Sequence, residues 1–166
     1  MNIEQINCLD QDQATQLFMQ CCTSERWIKI MVDGRPYNNF SALRKSADQA
    51  WDQMTEKDYL QAFEGHPKIG NVSSLKAKYA NTKELASGEQ SGASQAKETI
   101  ILQLAKSNQA YEDKYGFIFI VCATGKSAEQ MLDLLHSRLK NDRYRELEIA
   151  SEEQRKIFHL RLEKLL

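Results

Sequence analysis

Apolar residues recur at helical spacing along most of this chain. Ala14, Leu17, Phe18, Cys21 and Cys22 fall at i, i+3, i+4, i+7 and i+8, one face of a 3.6-residue period. Asp10 with Gln13 precedes them as a capping box. Ser24 opens a second helix carrying Trp27, Ile30 and Met31, which the Asp33-Gly34-Arg35-Pro36 turn ends. Asn39 caps a third, with Phe40, Leu43, Ala47, Ala50, Trp51 and Met54 on one stripe. Thr55 with Asp58 starts a fourth, running through Tyr59, Leu60 and Phe63 until Gly65 and Pro67 stop it. A loop, Gly65-His66-Pro67-Lys68-Ile69-Gly70-Asn71, leads to a helix over 73–85. After an interruption at 87–92, Ala93, Ala96, Ile100, Leu104, Tyr111 and Tyr115 form a long face that Gly116 ends. Ser127 and Gln130 box a further helix through Met131, Leu134, Leu135 and Leu139 to Asn141, and the remainder to Leu166 reads as helix. The run 117–121 is strand-like but has no second strand to pair with. The pattern predicts an all-α fold: a single compact multi-helix domain over 1–166, with an irregular buried segment around 117–121.

Composition narrows the function classes. With 7 Gly and 2 Pro in 166 residues there are few helix breakers, and a chain this long can bury a core without staples. The balance of 22 Lys+Arg against 23 Asp+Glu leaves a net charge of −1, too weak a field to attract nucleic acid or anionic lipid. The longest apolar run, 117–123, is far short of the roughly 20 residues of a membrane span. No signal-peptide pattern opens the chain, and Cys8, Cys21, Cys22 and Cys122 form no C-x-x-C pair. A cytoplasmic protein with reduced thiols is the expectation.

Four features bear on chemistry. Thr124-Gly125-Lys126-Ser127 imitates the tail of a P-loop, but Ile120 stands where that motif needs Gly. His66, His136 and His159 lack metal-ligand spacing with each other or with a cysteine pair, so no metal site is expected; His136 and His159 read as surface residues. His66 differs, since Gly65 and Pro67 flank it in a loop that can present an imidazole at a fixed angle; spacing alone leaves a structural and a chemical role open. Ser87-Gly88-Glu89-Gln90 offers an acid and an amide before a helix N-terminus, or simply a cap. Arg161 lies on the apolar stripe of Leu147, Ala150, Ile157 and Leu165. Such a charge takes an internal carboxylate or a bound anion as partner, or snorkels at the stripe's edge.

Taken in order, Gly65-His66-Pro67-Lys68-Ile69-Gly70, Ser87-Gly88-Glu89-Gln90, Gly116-Phe117-Ile118-Phe119-Ile120 and Arg161-Leu162-Glu163-Lys164-Leu165 resemble the OHCU decarboxylases of urate degradation. The segment from Phe18 through Cys21-Cys22 to Arg26-Trp27 extends the resemblance over nearly the whole chain. It implies an all-helical, cofactor-free homodimer that converts 2-oxo-4-hydroxy-4-carboxy-5-ureidoimidazoline to (S)-allantoin and CO2. It also implies His66, Glu89 and Arg161 as catalytic residues, with Pro67, Ser87, Gln90, Ile118 and Ile120 contacting substrate. Lys68 departs from the family, where Arg is frequent, yet keeps the cation. The ending Lys164-Leu165-Leu166 is not the peroxisomal Ser-Lys-Leu, which again points to a cytosolic enzyme. A helical adaptor and a metal-dependent ureide hydrolase are the competing classes; the first predicts no turnover, and the second needs a ligand set the sequence does not display.

Overall fold

Side chains at the helix starts organise the chain. In the computed structural model, which describes residues 1–68, 72–79 and 91–166, Asp10 accepts from the Gln13 backbone N–H at 2.8 Å and Asn39 from that of Ala42 at 2.8 Å. Ser127 does the same for Gln130 at 3.2 Å. Each satisfies a backbone donor that has no partner inside its own helix. The described helices are α1 (Ile3–Cys8), α2 (Gln11–Met19), α3 (Glu25–Asp33), α4 (Phe40–Asp52), α5 (Glu56–Glu64), α6 (Val72–Tyr79), α7 (Ser91–Tyr115), α8 (Ala128–Arg138) and α9 (Arg143–Leu165). Among the described residues there is no strand, and the fold is all-α. The pattern of apolar positions did not foresee α1, six residues long and held by an Asn2–Gln5 capping box. The helix expected over 73–85 is helical over 72–79; its remainder lies outside the described residues.

The chain divides into two compact units, the first comprising 1–66, 120–122 and 147–166. Its core is aromatic. Trp27 lies 5.1 Å from Phe158 and 6.2 Å from Phe18 between ring centroids, and Phe158 lies 5.7 Å from Trp51. Such pairs add about 0.5–1.5 kcal/mol each beyond area burial. Both indoles find acceptors: Trp27 Nε1 donates to the Ala47 carbonyl at 3.1 Å and Trp51 Nε1 to the Ser151 carbonyl at 3.0 Å. The second bond ties α4 to α9.

The second unit comprises 67–119 and 123–146. Here Glu146, fully buried, accepts from the Tyr111 hydroxyl at 2.5 Å and from Arg138 Nε. The Arg138 guanidinium lies 4.5 Å from the Phe119 ring centroid. This ion pair and ring contact hold Phe119 in the irregular run after α7, where Phe117 is buried as well; Ile120, which follows in the first unit, is also buried, as expected of this run. Gly116, at φ 81°, supplies the left-handed residue that ends α7, and its N–H returns to the Glu112 carbonyl at 2.8 Å.

Candidate active site around His66 and Arg161

His66 follows α5 directly, and its position is set by a close approach. Thr23 Oγ1 donates to the Gln61 and Ala62 carbonyls at 3.1 and 3.2 Å, capping the C-terminal end of α5. A Cβ on Gly65 would lie 2.2 Å from that Oγ1 and 2.8 Å from Thr23 Cβ, so only glycine allows the fit. The His66 N–H then bonds the Phe63 carbonyl at 3.1 Å. The imidazole emerges half-buried, with Nε2 2.5 Å from Gln154 Oε1.

Gln154 and Arg161 both belong to α9, seven residues apart, and so share a face after about two turns. The deeply buried face of α9 in the first unit runs through Ala150, Gln154, Phe158 and Leu162. Leu147, Ile157 and Leu165 are only half-buried, so the stripe is rotated from the one the aliphatic residues alone suggest. Arg161 is half-buried beside it. Its Nη1 donates to the carbonyls of Cys21 at 3.3 Å and Gln20 at 3.5 Å, just beyond the C-terminus of α2. Among the described residues no carboxylate pairs with it.

Electrostatics keep this cluster neutral except for Arg161. Burial lowers the His66 pKa below the usual histidine value; Gln154 opposes the shift and the Arg161 charge adds to it. The imidazole is therefore uncharged at neutral pH and can accept a proton. Burial pushes the Cys21 and Cys22 thiols up to about 12 despite Arg161, so neither supplies a counter-charge or a nucleophile.

The remaining expected positions distribute as follows. Ile120, buried, belongs to the same unit as His66 and Arg161. Pro67 is exposed and Ile118 half-buried, both in the second unit. Ser87, Glu89 and Gln90 lie outside the described residues. Gln154 was missed, although a polar residue seven positions before Arg161 on an apolar face was the available signal. His136 is exposed as expected, but His159 is not a free surface residue: its Nε2 lies 2.7 Å from Asp48 Oδ1, and the pair is joined by Arg155. Among the described residues no three His, Cys, Asp or Glu side chains are grouped to hold a metal ion, and no helix is long and apolar enough to cross a membrane.

Comparison with known proteins bears on the family and the fold. The sequence pattern of the OHCU decarboxylase family matches residues 7–163. The chain is 35% identical over 145 residues to the uric acid degradation bifunctional protein TTL of Arabidopsis thaliana, covering 87% of this chain and 45% of that protein. It is 25% identical over 167 residues to the 2-oxo-4-hydroxy-4-carboxy-5-ureidoimidazoline decarboxylase of Amia calva, covering 100% of this chain and 95% of that one. A crystal structure of an OHCU decarboxylase in the presence of (S)-allantoin superposes with a TM-score of 0.72 at 33% identity, covering 95% of this chain and 98% of that one. The chain spans less than half the length of the bifunctional relatives it matches. On its sequence and its fold, the chain belongs to the OHCU decarboxylase family.

Proposed function

We propose that residues 1–166 act as one decarboxylase domain that converts 2-oxo-4-hydroxy-4-carboxy-5-ureidoimidazoline to (S)-allantoin and CO2 in urate degradation, as a cytoplasmic homodimer without cofactor. The observation that carries this reading is the half-buried His66 held against Gln154 of α9, the helix that also carries the half-buried Arg161, in a chain whose family match runs from 7 to 163. As CO2 leaves, the C–C bond pair passes into the adjacent C=N of the substrate, whose nitrogen takes a proton. Loss of the hydroxyl proton and gain of one at the neighbouring ring carbon then yield allantoin. The substrate is its own electron sink, so the protein's work is orientation, proton transfer and choice of face.

In this reading His66 moves the proton between hydroxyl and ring carbon, and Arg161 holds an anionic oxygen by a charge-assisted bond. Glu89 orients His66 or the ureido N–H groups. Pro67, Ser87, Gln90, Ile118 and Ile120 line the substrate.

The test is freshly generated substrate with enzyme and a chelator, followed by circular dichroism of the product. Formation of (S)-allantoin at an unchanged rate supports the reading. Loss of turnover restored by metal would favour the hydrolase alternative, and no turnover under either condition the adaptor. Sedimentation as a 19.1 kDa species at all working concentrations would count against the dimer.

A further inference from the structure

Gln154 is fully buried on a face otherwise given to Ala150, Phe158 and Leu162, where an aliphatic residue would fill the space without polar cost. Its Oε1 meets His66 Nε2 at 2.5 Å, while its own Nε2 has no hydrogen-bond partner among the described residues. A buried amide kept with one end unmet is unfavourable for stability, so its other end has to matter. That other end touches the imidazole.

We propose that Gln154 is the positioning residue that fixes His66 as its Nε2–H tautomer, leaving Nδ1 as the atom that exchanges protons with the substrate. An amide oxygen only accepts, so the imidazole nitrogen facing it carries hydrogen, and in the neutral ring the other nitrogen then holds the lone pair. The opposite amide orientation would impose the Nδ1–H tautomer and set two donors against each other whenever the ring is protonated. With Oε1 toward the ring, Nε2–H donates in imidazole and imidazolium alike, so one contact orients the ring through a whole proton cycle. Nδ1 takes the hydroxyl proton and a proton passes from it to the ring carbon, so the imidazole ends as it began. Arg161 is the charged group among the described residues that acts on His66, and it disfavours the protonated ring without bonding it.

The assignment of that proton transfer rests on the decarboxylase reading; the tautomer does not. The experiment is 15N NMR of the histidine rings in the whole chain, with the His66 signals identified by their loss in His66→Asn. Neutral His66 should show a protonated Nε2 and a lone-pair Nδ1. Gln154→Met, which removes the acceptor at similar volume, should relax the ring toward a mixture of tautomers and lower kcat roughly 10–100-fold with little change in KM, a part of what acid–base help is worth. Gln154→Glu should keep the Nε2–H tautomer but stabilise the imidazolium, moving the acidic limb of the kcat profile to higher pH. A wild-type ring protonated on Nδ1 would overturn the proposal whether or not the variants fold, as would a Met variant with unchanged tautomer and pH profile. The expected tautomer in a wild-type protein that never turns over substrate would uphold the positioning and discard the decarboxylase reading.

Discussion

Arg161→Met separates two roles that one side chain combines. Nη1 reaches the Cys21 and Gln20 carbonyls at 3.3 and 3.5 Å, beyond the roughly 2.7–3.2 Å of a well-formed N–H···O bond. A good charged bond is worth about 1.5–3 kcal/mol, and a cation at a helix C-terminus about 0.3–1 kcal/mol. Two long contacts on a half-exposed group therefore amount to about 1 kcal/mol, part of which Met offsets by keeping the stem packed. At 166 residues the melting temperature should move by no more than about 2–4 °C. Loss of a charge-assisted bond to the substrate anion should instead cost about 1.5–3 kcal/mol in the transition state, roughly a 10–150-fold fall in kcat/KM. Removing the guanidinium also removes a charge that disfavours protonated His66, so the acidic limb of the rate profile should shift to higher pH. Lys should recover only part of the activity, because a point charge cannot reproduce a planar two-pronged contact. Thermal melts and the dichroism of the allantoin formed measure both quantities on the same samples. Full activity in the Met variant would reduce Arg161 to a cap on α2, and a fall of more than about 8 °C would make it a structural residue first.

Other expectations follow from the same geometry. His66→Asn should lower turnover roughly 10²–10⁴-fold while circular dichroism shows the fold retained; unchanged turnover would leave His66 a loop-shaping residue. Gly65→Ala forces Thr23 away from α5 and should cost about 1–3 kcal/mol in urea denaturation, with activity reduced alongside as His66 is displaced. Glu146→Gln removes the fully buried carboxylate that accepts from both Arg138 and Tyr111 and should cost about 3–5 kcal/mol in the same assay; a change below about 1 kcal/mol would show that the Arg138–Glu146 pair contributes little. Burial tends to raise the Asp48 pKa, but hydrogen bonds from His159 and Arg155 outweigh it and hold the carboxyl below its ordinary value. Its contribution to stability is present above the ordinary carboxylate range and is lost as pH falls through the lowered value. The acid limb of melting temperature against pH should therefore be shallower in Asp48→Asn, and an identical limb would rule that contribution out.

Helices and their starts were legible in this sequence because a cap acts over three residues: Asp10, Ser24, Asn39 and Ser127 each meet the third residue onward. The buried run after Gly116 was legible too, since apolar residues without a partner strand have only the interior to occupy. His66 and Arg161 stood out as a histidine held in a glycine-flanked loop and a charge on an apolar face. What each of them meets was not legible. Gln154 lies 88 residues from His66 and Cys21 lies 140 from Arg161, separations at which no local pattern carries information. The rotation of the α9 stripe toward Phe158 and Leu162, and the pairing of His159 with Asp48, depend on which neighbouring helix fills which groove. The passage of α5 against Thr23 likewise depends on an approach at Gly65 so close that a Cβ there would fall 2.2 Å from Thr23 Oγ1. Residue order set the helices because backbone hydrogen bonds and caps are local; packing alone decided which polar groups they bring together.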